Sequence, residues 1–222
     1  MPVFTRCAVC LVCFAILVGC RGRGSLPEAD SLVSRARQAW QGGWHAVWQV
    51  EWAGAPVRGP LVAEVWHAPD GRLRIETLEA PSAALSGLTL VRDGRTAWLY
   101  DVRQDRLDSG PPEQVRIPLI QDAMDASEWL LAGTEGASIQ AAGRDSLESG
   151  PATRLDVSLA AGERATLWID TQTGLPSRVE LQSPTWGEAA FAARSLGFLP
   201  HPHPSLFTLI RDRHLDLTPG AD

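Results

Sequence analysis

The fold is decided by the stretch Trp44-His45-Ala46-Val47-Trp48-Gln49-Val50-Glu51-Trp52. Its aromatic residues recur on one side of a period-two alternation, which is typical of a β-strand. A helix would also bring the three tryptophans near one another. The glycine pair Gly42-Gly43 before the stretch and the segment Gly54-Ala55-Pro56 after it favour the strand, because both are typical of strand boundaries. The stretch therefore predicts a strand with one aromatic face.

The same alternation predicts seven further strands along the chain. They are residues 61–66, 72–78, 88–92, 96–100, 153–159, 165–170 and 177–182. Turn residues separate several of them: Asp70-Gly71 and Asp93-Gly94 are hairpin dipeptides, and Gly174-Leu175-Pro176 interrupts the late strands. The strands are therefore expected to pair as antiparallel hairpins.

Two amphipathic helices are predicted beside these strands. The first covers residues 26–41, with Ser25 as the N-cap, Glu28 completing a capping box and Gly42 at the C-cap. The second covers residues 118–132 and ends at Gly133. Each has one apolar stripe that must lie on an apolar surface. The fold class is thus mainly β with helices (α+β), and we expect a single curved antiparallel sheet whose concave face the helices cover.

The N-terminus has the pattern of a bacterial lipoprotein signal. A twelve-residue apolar run from Cys7 to Val18 follows the single basic residue Arg6 and leads into Leu17-Val18-Gly19-Cys20. The run is too short to span a bilayer, and a cysteine after small residues is a site for lipid attachment. We expect residues 1–19 to be the signal peptide, Cys20 the lipidation site, residues 20–30 a tether and residues 31–222 the folded domain. A plain signal peptide or a buried N-terminal helix is the alternative.

Charge and cysteine content exclude several classes of function. Removal of the predicted signal peptide would remove Arg6 and leave 19 basic and 26 acidic residues. The resulting net charge of −7 argues against a nucleic-acid partner. Three of the four cysteines lie in the predicted signal peptide, so the mature chain would form no internal disulfide. The chain contains no lysine, which excludes P-loops, Schiff-base lysines and Ser-x-x-Lys nucleophiles. With no other catalytic motif in the sequence, we expect a protein that is not an enzyme.

Histidines are the best candidates for a metal site. His201 and His203 have a spacing that permits ligation, but the prolines around them indicate an extended loop, and neither cysteine nor an acidic cluster completes a tetrahedral site. His45, His67 and His214 are isolated and are expected on polar faces or in loops. We therefore predict no metal and no cofactor.

The aromatic strand suggests a hydrophobic ligand-binding surface. The candidate residues are Trp44, Trp48 and Trp52 on the strand, with Leu73, Ile75 and Trp98 on neighbouring strands. They are predicted to line a cavity for acyl chains. The alternative is that they are close-packed core beneath the helices, because aromatic side chains bury a large area in any sheet.

Four segments resemble a known family. They are Leu90-Val91-Arg92-Asp93-Gly94-Arg95-Thr96-Ala97-Trp98-Leu99-Tyr100-Asp101, then Val65-Trp66-His67-Ala68-Pro69 leading into Arg72-Leu73-Arg74, then Leu167-Trp168-Ile169-Asp170 through Thr173-Gly174-Leu175-Pro176, and last Pro204-Ser205-Leu206-Phe207-Thr208. Together they resemble the LolA/LolB-type lipoprotein-carrier superfamily, which includes the N-terminal domain of the RseB/MucB-type sigma-factor regulators. The resemblance implies a half-open β-barrel with helices as a lid. Ala68 departs from the soluble carriers, which have an arginine important for the lid at this position.

Two functions are consistent with this resemblance. The first is a membrane-anchored, non-catalytic lipoprotein that binds a lipid or a lipoprotein acyl chain in the hydrophobic half-barrel cavity. The second is an envelope-stress sensor or interaction protein that docks a membrane-protein partner through the same curved sheet. In either case we expect an extracytoplasmic monomer that is lipid-anchored to the cell membrane or the outer membrane.

Overall fold

The computed structural model describes residues 28–53, 59–132, 137–158, 163–183 and 187–209. Within these ranges the chain forms eleven strands: β1 (Trp44–Ala53), β2 (Leu61–His67), β3 (Leu73–Glu79), β4 (Leu88–Arg92), β5 (Ala97–Asp101), β6 (Arg106–Gly110), β7 (Ser138–Leu147), β8 (Gly150–Ser158), β9 (Arg164–Asp170), β10 (Pro176–Ser183) and β11 (Gly187–Phe198). All belong to one sheet, in the order β6-β5-β4-β3-β2-β1-β11-β10-β9-β8-β7. Every strand pairing is antiparallel. The predicted mainly β fold with one antiparallel sheet is confirmed.

The sheet consists of two meanders joined at its centre. Strands β1 to β6 run outward in chain order on one side, and β7 to β11 run inward on the other. The two halves meet where β1 pairs with β11, from Trp44 opposite Phe198 to Ala53 opposite Glu188. Strands β6 and β7 are the two open edges, so the curved sheet is a half-open barrel, as predicted.

Two helices cover the concave face of this sheet: α1 (Ala29–Trp40) and α2 (Ile120–Ala132). Helix α2 follows β6 and precedes β7, so it connects the two outer edges across the sheet. The guanidinium of Arg37 in α1 donates two hydrogen bonds to the Leu131 carbonyl, at 3.0 and 2.6 Å. A cation is favourable there because the last carbonyls of a helix carry partial negative charge. Neither helix is long and apolar enough to cross a bilayer, and the rest of the described chain contains no such helix.

The main core lies between the helices and the concave face. On β1 the alternate side chains of Trp44, Ala46, Trp48 and Val50 are buried, whereas those of His45, Val47 and Gln49 are more exposed. They belong to one apolar cluster that includes Ala36 of α1 and Leu130 of α2. The period-two pattern of β1 therefore points its aromatic face into the core, as the sequence predicts.

A smaller cluster lies on the opposite, convex face. It consists of the buried residues Ala68, Val91 and Phe207, with Trp66, Trp98, Leu206 and Leu209 packed against them. The segment around the short 3₁₀ helix Pro204–Phe207 thus returns to the outside of the sheet. The convex face of the first meander therefore also carries an apolar patch.

Eight predicted strands are present, and three strands were not predicted. The additional strands are β6, β7 and β11. Strand β6 (RLDSG) is short and polar, and β11 (GEAAFAARSLGF) is rich in alanine and glycine, so neither has strong alternation of large apolar residues. The hairpin at Asp93-Gly94 is confirmed: the Asp93 carboxylate accepts backbone hydrogen bonds from Arg95 and Thr96.

Both helices begin later than predicted. Helix α1 begins at Ala29 because Glu28 has an extended backbone (ψ 131°), so Glu28 precedes the helix and does not complete a capping box. Ser25 lies outside the described residues. Helix α2 begins at Ile120 rather than at residue 118, because Leu119 has a φ of +70° that no α-helix accommodates.

We predict that Gly43→Ala destabilises the protein. A Cβ at Gly43 would lie 2.1 Å from the Leu199 carbonyl oxygen, and the backbone there is held by the hydrogen bond from Leu199 N to Gly43 O at 2.9 Å. Relieving this overlap should cost about 1–3 kcal/mol or more in unfolding free energy, measured by urea denaturation. Gly197→Ala is the matched control, because a Cβ at Gly197 meets no atom within 4 Å. Equal stability of the two variants would contradict the prediction.

Candidate ligand-binding site

The aromatic strand is anchored to α1 by three tryptophans. The ring centroids of Trp40 and Trp44 are 4.9 Å apart, and those of Trp40 and Trp48 are 6.4 Å apart in an edge-to-face arrangement. The indole N–H of Trp44 donates to the Trp40 carbonyl at 3.1 Å. Such contacts add stability beyond the buried area because the rings have favourable mutual geometry. The cluster joins helix, strand and turn into one packed unit.

Four of the predicted ligand-binding residues lie in this packed interior. Trp44, Trp48, Leu73 and Ile75 are each at most 2% exposed. Trp48 packs against Phe191 of β11 as well as against Trp40. Their packing is that of a core beneath the helices, the alternative left open by the sequence, and a role for them in ligand binding stays a prediction.

The indole N–H of Trp48 has no hydrogen-bond partner among the described residues. A buried donor left unsatisfied costs about 1–3 kcal/mol. Trp44, on the same face of the strand, has its N–H bonded. The packing of the Trp48 ring must therefore offset the cost of its free donor.

Trp52 lies where the aromatic strand leaves the core. It borders a cavity of about 510 Å³ whose other lining residues are Arg116, Asp122, Asp125, Ala126 and Trp129. Asp122, Asp125, Ala126 and Trp129 have the spacing of residues along one face of α2. The cavity therefore opens between α2 and the end of β1, at one end of the half-barrel. We call it the mouth cavity.

The charged residues of the mouth cavity are paired with one another. One guanidinium nitrogen of Arg116 lies 2.9 Å from an Asp122 oxygen and 2.8 Å from an Asp125 oxygen. The second Asp122 oxygen accepts the backbone N–H of Leu119 at 3.0 Å, so this carboxylate also holds the start of α2. Two acidic groups and one basic group leave one net negative charge at the rim. The apolar wall is formed by Trp52, Ala126 and Trp129.

The prediction that Trp98 lies with the other five candidates is wrong. Trp98 is on the convex face, where it packs with Val91 and Phe207. Its neighbour Ala97 is the residue of β5 that is buried in the concave core. Because successive residues of a strand point to opposite faces, a shift of one position moves the side chain outside. Trp98 borders a different cavity, of about 450 Å³, on the convex face.

His67 occupies the end of β2 beside the tryptophan cluster. Its ring stacks on Trp44 with centroids 5.2 Å apart, and its Nδ1 lies 2.9 Å from the Gly42 carbonyl oxygen, to which it donates. Burial lowers the pKa of His67; the hydrogen bond to Gly42 opposes this shift, and the nearby guanidinium of Arg92 adds to it. Thus His67 contributes to packing as a neutral ring, rather than lying on a polar face as predicted.

The described residues contain no group of three or more metal-ligating side chains. His203 bonds the hydroxyl of Ser205 at 2.7 Å in the turn before the last 3₁₀ helix. His45 pairs with Glu64 at 2.8 Å and stacks on Trp66. Cys20 and His214 lie outside the described residues.

Sequence reasoning missed the residues that α2 and the preceding loop bring to the mouth cavity. They are Arg116, Asp122, Asp125, Ala126 and Trp129. A sequence signal was available in Trp129, a large aromatic residue of the predicted second helix that the site prediction did not include. In the structure this residue is 36% exposed and lines the same cavity as Trp52.

Several solved structures share this fold at low sequence identity. MucB is 19% identical, with a TM-score of 0.57, over 85% of this chain and 64% of MucB. The protein has a LolA-like fold. An uncharacterized conserved protein from Thermus thermophilus is 17% identical, with a TM-score of 0.53, over 83% of this chain and 95% of that one. LprF from Mycobacterium bovis is 16% identical, with a TM-score of 0.51, over 80% of this chain and 95% of LprF.

The family resemblance of the sequence is thereby confirmed at the level of the fold. The chain spans about two thirds of MucB, which has also been solved in the MucA/MucB complex of Pseudomonas aeruginosa. No protein-family model matches the sequence, and no curated protein is significantly similar to it.

We predict that His67 makes stability depend on pH below neutrality. Its folded-state pKa is lowered from the ordinary 6.5, so the unfolded chain takes up this proton at a higher pH than the folded chain. The free energy of unfolding should therefore fall as the pH drops below about 6.5. His67→Phe keeps an aromatic ring on Trp44 and removes the titrating group. Its free energy of unfolding, measured by urea titrations, should therefore fall less steeply between pH 7.5 and pH 5. The difference in slope should correspond to the uptake of on the order of one proton less on unfolding. Parallel pH profiles for the two proteins would contradict the prediction.

Proposed function

We propose that this protein is a non-catalytic binding protein that takes up the acyl chain of a lipid or lipoprotein in the mouth cavity. The observation that carries the proposal is the cavity itself, which has a volume of about 510 Å³ and is walled by Trp52 and Trp129. Sites for small molecules commonly have volumes of about 300–1,000 Å³ and mostly apolar walls. The LolA-like fold supports the same class of function.

The chemistry of the walls favours an apolar chain over a polar ligand. Two indole rings and the methyl group of Ala126 offer area that an acyl chain would remove from water, at about 25 cal/mol per Å². The carboxylates of Asp122 and Asp125 are already paired with Arg116. The chain would enter between α2 and β1, and its polar end would stay at this charged rim.

This proposed site includes fewer of the candidate residues than the sequence predicts. Of the six candidate residues, only Trp52 lines the mouth cavity. The buried Trp44 and Trp48 then serve to hold α1 and β1 in place, which fixes the wall that Trp52 provides. A ligand that reached them would have to separate α1 from the sheet.

We predict that Trp129→Glu weakens binding of cis-parinaric acid, a fluorescent long-chain fatty acid, about tenfold or more. A carboxylate at this position places charge against the apolar chain, and a tenfold loss corresponds to about 1.4 kcal/mol. Trp129 is 36% exposed, so the substitution should leave the fold intact. Fluorescence titration of purified protein, with palmitate as a competitor, measures the effect.

Leu78→Glu is the matched control for this experiment. Leu78 is an exposed apolar residue of β3, at 52%, and it does not border the mouth cavity. Its substitution adds the same charge and should leave the affinity unchanged. The proposal is rejected if the wild type shows no saturable binding, or if the two variants bind equally.

We further propose that Cys20 anchors the protein to a membrane outside the cytoplasm, and that the tether of the predicted residues 20–30 ends before Ala29, where α1 begins. The apolar run and the small residues before Cys20 support this. Cys20→Ser should release the protein from the membrane fraction or leave it as an uncleaved precursor, as seen by fractionation and intact-mass measurement. A mature, membrane-bound Cys20→Ser protein would be incompatible with the anchor.

A second candidate function is the docking of a membrane-protein partner, as in an envelope-stress sensor. The structures of MucB in complex with MucA(peri) favour it, because a protein of this fold there binds a second chain. In that case the curved sheet, rather than the mouth cavity, would be the functional surface.

A further inference from the structure

The convex face has an apolar cavity that the acyl-chain proposal does not use. Its volume is about 450 Å³, and its walls include Val91, Trp98, Tyr100, Leu107, Phe207 and Leu209. Leu107 belongs to β6 and is 39% exposed. We call this cavity the convex groove. It runs from the chain's own segment Pro204–Phe207 to the edge of the sheet.

One end of this face already holds a peptide segment, which is part of the same chain. Phe207 is 8% exposed and packs on Ala68 and Val91, with the guanidinium of Arg72 centred 4.8 Å from its ring. Arg74 donates from Nη1 to the carbonyl oxygens of Leu206 at 3.1 Å and Thr208 at 3.2 Å. The convex face therefore holds the chain's own segment in two ways. An apolar pocket takes the Phe207 side chain, and the Arg74 guanidinium binds main-chain carbonyls.

The other end of the groove is an open sheet edge. Strand β6 is the last strand of the sheet, and in the described part of the chain no strand pairs with its outer side. Its main-chain donors and acceptors on that side can pair with another strand. Leu107 lies opposite Tyr100 and Ser109 lies opposite Trp98, so these two positions of β6 share the face of the groove.

We propose that the convex groove and the outer edge of β6 together bind an extended segment of a partner protein. The segment would add to β6 as a further strand, and its alternate apolar side chains would enter the groove. This site continues the interface already made by residues Pro204–Phe207 on the same face. It lies on the opposite face from the mouth cavity, so it gives the second candidate function a surface without depending on acyl-chain binding.

The register of β6 specifies the pattern of the partner segment. Residues of the partner segment that pair with Leu107 and Ser109 would face the groove and should be apolar. The partner residue between those two would point to the other face, beside Asp108. The side chain of Asp108 is exposed there and pairs with Arg106 at 2.7 Å. A polar residue is therefore expected there, and the whole segment should alternate apolar and polar residues. A lipid chain would fill the groove but would leave the edge of β6 unpaired.

The experiment measures binding of a small set of labelled seven-residue peptides to the purified protein by fluorescence anisotropy. The peptides alternate serine with valine, leucine, isoleucine or phenylalanine. Control peptides have the same composition with their apolar residues consecutive, or carry N-methyl groups on the alternating backbone. At least one alternating peptide should bind saturably, and each of the two controls should bind at least tenfold more weakly.

Leu107→Glu should weaken the same binding at least tenfold, because it places a charge in the groove at an exposed position. Leu78→Glu is the matched control and should have no effect, since Leu78 is exposed at 52% and lies away from the groove. If no alternating peptide binds the wild type, or if Leu107→Glu binds as well as Leu78→Glu, the proposal fails. Either result would leave the fatty-acid experiment unaffected.

Two other occupants of the groove would also overturn the proposal and are distinguished by further measurements. A wild-type dimer in sedimentation that becomes a monomer on Leu107→Glu would assign the edge to a second copy of this chain. Leu215 and Leu217 are apolar residues of the segment 210–222 that follows Leu209. Peptide binding that occurs only after both are replaced by serine would assign the groove to the chain's own C-terminal residues. Binding of the alternating peptides to a monomeric wild type supports an external partner.

Discussion

The pairing of β1 with β11 is the interaction on which the rest of the structure depends. It joins the first meander to the last, and it brings together residues such as Trp44 and Phe198 that are far apart in sequence. Without this pairing β6 and β7 would not be the two edges of one sheet, and α2 would have no concave face to cross. The same strand carries the tryptophans that hold α1, so the central register also fixes the helical cover. A local constraint at Gly43, where only hydrogen fits beside the Leu199 carbonyl, protects this register at its start.

The packing of the concave face decides where free volume remains. Trp44, Trp48, Leu73 and Ile75 fill the interior beneath the helices, so free volume remains at one end, between α2 and Trp52. These four core residues do not border the mouth cavity. The unpaired N–H of Trp48 is a cost inside that core, and its retention is consistent with the ring's packing against Trp40 and Phe191.

The two faces of the sheet are suited to different chemistry. The mouth cavity is walled by indole rings and rimmed by an internally paired charge cluster, which suits an apolar chain with a polar end. The convex groove combines apolar walls with an open strand edge, and main-chain carbonyls are already bound beside it by Arg74. The two proposed functions, acyl-chain binding and protein docking, would therefore use opposite faces of the same sheet.

The sequence by itself determined the strand type, the hairpins and the fold class. Alternation in the aromatic strand and the turn residues at Asp93-Gly94 are local signals, and local backbone geometry follows from them. It did not determine which face of β5 is inside: Ala97 is buried in the concave core and Trp98 lies outside, although tryptophan is the larger apolar residue. It also missed β6 and β11, whose short polar or alanine-rich sequences become strands because their neighbours offer backbone partners. Only the tertiary structure placed Trp129 of α2 beside Trp52 of β1, because the helix must cross from one sheet edge to the other, and no local pattern encodes that path.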